Sequence, residues 1–157
     1  MNKTKKLAAC IVLVLSIVLF AATGCSSKTA ISADDFSAAA NEAGYSVSDI
    51  TGQYVEDAGS ASIKIIGFDE GGIHVEFFEM DTAERANEVY ASSVDTIKAQ
   101  KSGSEVSSEV NGKYSKYSST FDGIYHIAEL VGTTVVYANC DKADAETLDG
   151  LMESIGY

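Results

Sequence analysis

The chain has 157 residues, with 23 acidic side chains against 11 basic ones and a formal charge of −12. That balance argues against nucleic acid as a partner, because phosphates are bound through Lys and Arg. It also argues against lying flat on anionic lipid, which recruits polybasic segments.

The chain opens with Lys3, Lys5 and Lys6, then an apolar run over residues 7–22 that stops at Ala22-Thr23-Gly24-Cys25. A positive start, an apolar middle and small residues before a cut site make a secretory signal. The small residues before Cys25 resemble the lipobox of bacterial lipoproteins, with Ala22 where that family prefers leucine. The resemblance implies that the Cys25 thiol is diacylated (palmitate being a typical chain). It also implies cleavage just before Cys25, which becomes the mature N-terminus. The competing reading is an uncleaved anchor. The run of 16 residues is short for that, since about 20 are needed to cross a hydrocarbon core of about 30 Å. Two acyl chains hold a protein on a bilayer stably where one does not.

Removal of residues 1–24 leaves 133 residues, eight basic side chains and all 23 acidic ones, a formal charge of −15. A single domain of that size buries a core without disulfide or metal help. The acidity then serves solubility and repulsion from an acidic envelope. Cys10 leaves with the signal and Cys25 carries lipid, so Cys140 is the only thiol left. It ends an apolar run and reads as a small buried hydrophobe. The alternative is a reactive or interchain cysteine.

Residues 26–30 read as a short polar tether that keeps the domain, residues 31–157, near the membrane. Ser32 is an N-cap, with Asp34 and Asp35 in the first turn. Ile31 and Phe36 match a hydrophobic staple, and Gly44 is a left-handed cap. Residues 48–59 read as a loop. Residues 60–68 and 73–79 read as strands joined by Asp69-Glu70-Gly71-Gly72, a hairpin with one buried face. Asp81 with Glu84 starts a second helix in capping-box fashion. It carries Ala83, Ala86, Val89, Tyr90, Val94 and Ile97 on one stripe, and Gly103 ends it. Strands are expected at 105–110, 113–121, 124–131 and 133–140. Their turns are Asn111-Gly112, Asp122-Gly123 and Gly132. A last helix starts near Asp141, with Leu148, Leu151, Met152 and Ile155 on its stripe. The order predicts an α+β fold, α-ββ-α-ββββ-α. Its antiparallel sheet has four to six strands, with about three helices mainly on one face.

Catalytic constellations do not stand out. There is no Gly-x-Ser-x-Gly elbow, and neither Ser62 nor Ser93 has a lysine three residues on. Glu129 is the one sequence-local carboxylate for His126. His74, Glu76 and His126 would make an open zinc site if their strands were neighbours; ordinary polar strand roles are the simpler reading. Asp69-Glu70-Gly71-Gly72 lacks the alternating oxygens of a calcium loop. No cofactor or metal is expected. Tyr114, Tyr117, Tyr125 and Tyr137 lie on consecutive strands. Tyr114 and Tyr117 are the candidate binding face if they share an uncovered sheet surface.

Beyond the signal, the chain resembles small lipoproteins of Gram-positive bacteria with an α+β domain. The resemblance lies in Ser32-Ala33-Asp34-Asp35-Phe36, Gly44-Tyr45, Gly132-Thr133-Thr134-Val135-Val136-Tyr137 and Ile155-Gly156-Tyr157. It implies no activity. The first expectation is a lipid-anchored, non-enzymatic binding module on the outer face of the cell membrane, with a protein or small-ligand partner. The second is an inhibitor or regulator of an extracytoplasmic enzyme. The third is a weak hydrolase or metal-dependent enzyme in which His74 and His126 converge.

Overall fold

The computed structural model describes residues 28–55, 63–100, 105–111 and 114–157, the stretch 105–111 by its backbone and pairing. The expected signal peptide, Cys25, the Gly103 helix stop and Gly112 of the Asn111-Gly112 turn lie outside the described residues. No described helix is long and apolar enough to cross a membrane.

The described elements, in chain order, begin with α1 (Ala33–Glu42), β1 (Ser48–Asp49), α2 (Thr51–Tyr54), β2 (Lys64–Glu70) and β3 (Ile73–Glu79). Then come α3 (Ala83–Gln100), β4 (Glu105–Asn111), β5 (Tyr114–Phe121), β6 (Ile124–Val131), β7 (Thr134–Asp141) and α4 (Ala145–Ser154). The strands form one antiparallel sheet in the order β1-β2-β3-β7-β6-β5-β4. The fold is α+β, as the residue pattern predicts. The sheet has seven strands because residues 48–54, read as a loop, form β1 and α2. Asp49 Oδ1 accepts from the Thr51 amide at 2.9 Å, and the Thr51 hydroxyl bridges the Ile65 amide and carbonyl. These bonds fasten the segment to β2 where its glycine content and mixed polarity suggest no structure.

The helices divide between both faces of the sheet, where they were expected mainly on one. Strand side chains alternate between faces, so each strand contributes to two cores. On one face α1 and α4 cover Phe68, Val75, Phe77, Val136, Ala138 and Ile127. On the other, α3 covers Phe78, Val135, Leu130, Tyr117 and Ala128. The β2–β3 hairpin therefore has two buried faces: Phe77 is wholly buried on one and Phe78 nearly so on the other. Both glycines of its two-residue turn, Gly71 and Gly72, have positive φ, which a side chain would resist.

Local chemistry sets the helix ends. The Ser32 side chain accepts from the Asp35 amide at 3.1 Å. Glu79 of β3 accepts from the Ala33 amide at 2.8 Å, placing a carboxylate at the positive end of α1. The ends of α1 and α4 repeat one closure. Gly44 and Gly156 take positive φ, and the next amides, Tyr45 and Tyr157, donate back to Ala40 and Met152. That is a Schellman motif, and in each case the aromatic folds into the α1/α4 core. The cap of α3 is Thr82 rather than Asp81: Thr82 Oγ1 accepts from the Arg85 amide at 3.2 Å, while Asp81 pairs with the Arg85 guanidinium. A 3-10 turn, Lys142–Asp144, occupies the start expected for the last helix. Residues 28–30 do not hang as a free tether. Ala30 packs against the α1/α4 core, and Lys28 reaches Glu129.

Candidate functional site

Strand register places the candidate residues in rows across the sheet. On the α3 face one row runs Gly67, Glu76, Tyr137, Ala128, Tyr117 over β2, β3, β7, β6 and β5. The next runs Asp69, His74, Asn139, His126, Ser119. His74 and His126 thus share a face and a row, but the β7 residue Asn139 stands between them. Two strand spacings separate such residues by about 10 Å, too far for one metal. Among the described residues, no group of three or more His, Cys, Asp or Glu could hold a metal ion.

His126 is buried, stacks on Phe121 with ring centroids 4.5 Å apart, and its Nδ1 has no hydrogen-bond partner among the described residues. Burial pulls its pKa down, so it stays neutral. Glu129 does not serve it, because three residues along a strand reverse the face. Cys140 is buried in the α1/α4 core, and burial pushes its thiol up to about 11. It is an inert hydrophobe at neutral pH.

Tyr114 and Tyr117 do not form one surface. They lie three residues apart on β5 and face opposite ways. Tyr117 is 6% exposed under α3, with the Lys98 ammonium 5.4 Å from its ring centre. Tyr114 faces the α1/α4 side, where its hydroxyl donates to Glu129 at 2.9 Å. Of the four strand tyrosines, Tyr114 and Tyr125 face one side, Tyr117 and Tyr137 the other.

Glu129 is the one fully buried carboxylate among the described residues, shielded on β6. Lys116 lies 3.0 Å from Oε1 as an ion pair without hydrogen-bond geometry, and Lys28 lies 3.3 Å from Oε2. The Lys28 ammonium also sits over the Tyr114 ring at 4.3 Å. Lys116 extends the cluster to Asp149, which accepts from Tyr125 at 3.0 Å. Burial works against the Lys116 charge, but the Glu129 carboxylate outweighs it and raises the ammonium pKa. This cluster is an internal brace rather than a cleft. A lone carboxylate in the apolar run Ile127-Ala128-Glu129-Leu130-Val131 was the signal for it.

The open site is on the α3 face. A cleft of about 370 Å³ lies between α3 and the sheet. Its floor is Glu76, Phe78 and Tyr137; Val89, Ser92, Ser93 and Thr96 line the helix wall; Tyr54 of α2 is the lip. Tyr54 is the one large exposed hydrophobic side chain among the described residues, 50% exposed. A second hollow of about 340 Å³ adjoins it through Glu76 and includes Asp69 and His74. Gly67 lets α2 come this close: a Cβ there would lie 2.6 Å from the Val75 carbonyl oxygen and 3.1 Å from Ile50. Glu76 Oε1 accepts from the Tyr54 hydroxyl and lies 3.3 Å from His74 Nε2; Asp69 lies 3.7 Å from His74 Nδ1. Tyr54 was missed because α2 reads as a loop.

The two carboxylates hold the His74 pKa up, the hydrogen bond to Glu76 most of all. Burial pushes Glu76 up, but its bonds from His74 and Tyr54 win and its pKa falls. Burial and the Glu76 contact keep the Tyr54 phenol protonated. The sign of the linkage follows. His74, raised above its ordinary 6.5, stabilises below that value and loses its contribution as pH rises through the folded pKa. Glu76, lowered below 4.5, stabilises above that value and loses it as pH falls through the folded pKa. The pair therefore contributes most between about 4.5 and 6.5. Thermal melts at pH 6 and 8 should show wild type losing more stability on the alkaline step than Glu76→Gln. An identical loss in both would refute the coupling.

The fold and cleft define a class: an α+β module whose two-faced antiparallel sheet carries an aromatic, carboxylate-bearing cleft under its central helix. No protein-family model matches the chain, and no significant match is found among curated proteins or solved structures.

Proposed function

We propose that this chain is a lipid-anchored extracytoplasmic binding module, held at the cell membrane through Cys25, that takes a small ligand in the cleft under α3. The observation that carries the binding reading is the cleft itself. Its volume falls in the range of small-molecule sites, and its lining is mostly apolar with a few placed polar groups. A half-exposed aromatic, Tyr54, stands at its mouth, the one large exposed hydrophobic side chain among the described residues.

The anchoring reading rests on the residues before the fold. Lys28 is fixed on Glu129, and only two residues, Ser26 and Ser27, lie between it and Cys25. The three Cα-to-Cα steps reach at most about 11 Å. A lipid on Cys25 would therefore hold the sheet end near Tyr114 and Val131 close to the bilayer. The non-enzymatic reading draws on the same site, where His74, Glu76 and Tyr54 hold one another and the wall hydroxyls of Ser93 and Thr96 donate to the carbonyls of Val89 and Ser92 rather than to a base.

Two arms test this. Cells fed a tagged palmitate should label the wild-type protein and not Cys25→Ser, which should leave the membrane fraction; equal labelling would refute the anchor. Ser93→Trp, placed on the helix wall, should fill the cleft. The small-molecule fraction of a cell extract should raise the melting temperature of wild type and leave Ser93→Trp unmoved, since a ligand stabilises only the state that binds it. Equal shifts would remove the cleft as the site.

A further inference from the structure

The chemistry of the cleft narrows its ligand, given that the cleft is a ligand site. Among the described residues, Glu76 is the only charged side chain lining it. The adjoining hollow adds Asp69 and His74, and no described Lys or Arg lines either space. With His74 protonated the three groups sum to one negative charge, and with His74 neutral to two. An anion would be repelled in both states. The mature charge of −15 adds to that field.

The carboxylate stands among aromatic rings. Tyr54 and Phe78 meet nearly at right angles, 78° between planes and 5.5 Å between centroids, so they present two walls of a corner. Tyr137 lies directly across from Glu76 in the β3–β7 register and lines the same floor. The two contacts made to the Glu76 carboxylate both use Oε1; Oε2 accepts no hydrogen bond from a described residue. Ring faces carry negative potential and attract cations, most strongly where water is thinned. A carboxylate beside such a corner supplies the counter-charge, and the hydroxyls of Ser92, Ser93 and Thr96 supply hydrogen-bond partners for a polar tail. A wholly apolar ligand would leave Glu76 desolvated with no gain.

We propose that the cleft binds a small organic ammonium ion, its alkyl groups against the rings of Tyr54, Phe78 and Tyr137 and its charge facing the Glu76 carboxylate. The half-exposed Tyr54 is the outer wall of the site.

Calorimetry on the full-length protein in maltoside micelles tests this with choline as the probe and 3,3-dimethylbutan-1-ol as its uncharged isostere. Choline is expected to bind at least about tenfold more tightly than the alcohol, the scale of a desolvated cation–ring and ion-pair contribution. Glu76→Gln should cut choline affinity about tenfold and leave the alcohol unchanged. Tyr54→Phe should keep choline binding, because the ring remains, while Tyr54→Ala should weaken it severalfold. Tyr54 is exposed enough that its loss leaves the fold intact, which the melting curve checks. Equal affinity for the two probes would overturn the cation inference and leave the cleft a ligand site, separately judged by Ser93→Trp. No choline binding up to about 10 mM would overturn the inference too.

Discussion

Tyr157→Ala should cost about 3–4 kcal/mol, the scale of removing a buried aromatic. The last residue of the chain is 3% exposed. Its ring meets Phe77 edge-on at 84°, with centroids 6.1 Å apart, and its hydroxyl bonds the buried Thr134 hydroxyl. Its amide donates to Met152 at 2.7 Å, closing α4. Ring, hydroxyl and amide together tie this residue to the core. Truncation to alanine opens a hole beside Phe77, at the centre of the core that joins α1 to α4. The melting temperature should fall by roughly 10–15 °C for a domain of this size. Tyr157→Phe should cost only about 1 kcal/mol, because Thr134 Oγ1 still donates to the Val131 carbonyl. Urea denaturation separates the two. A Tyr157→Ala loss below about 1 kcal/mol would show that the core does not depend on the terminus.

Elements governed by local chemistry were legible. Paired glycines, Asp122-Gly123, the Ser32 cap and the Gly44 cap act within a few residues, and the structure uses each of them. Which sheet face a helix covers is a long-range matter. The α3 stripe of Ala86, Val94 and Ile97 says that one side is buried, not against which side of the sheet. The hint lay in the strands. Val135 and Val136 are adjacent and both wholly buried, and a run without alternation marks a strand covered on both sides. The cleft was less visible still. It needs Tyr54 from α2, Glu76 from β3 and Ser93 from α3, far apart in the chain. The segment bearing Tyr54 is held by the short β1–β2 pairing, the Ile50 amide on Ile65 and the Thr51 hydroxyl, none of which propensity singles out. Tyrosines could be counted along β5, but only register shows that Tyr114 and Tyr117 part company.

Lys116→Met should destabilise the protein by about 2–3 kcal/mol, and the loss should nearly vanish in Lys116→Met/Glu129→Met. Glu129 has no solvent exposure and sits in a row with Phe77 and Val136 on its inner side. Taking a carboxylate there is costly, and its partners recover the cost only together. Lys28 and Tyr114 still hold Oε2 when Lys116 goes, so the loss falls below the full 3–5 kcal/mol of a buried ion stripped bare. Lys28→Met should cost less, about 1 kcal/mol, because its side chain reaches water and an exposed partner counts for little. The double change removes the charge with the lysine. Methionine fills nearly the same space as glutamate, and an apolar replacement of a buried pair is commonly neutral. The Lys116→Met loss should persist in 1 M salt, which screens surface pairs but not a shielded one. Urea midpoints of the three variants decide the matter. Additive losses in the double variant would mean that Lys116 and Glu129 stabilise the sheet independently. The brace would then not be the reason Lys28 lies fixed against β6.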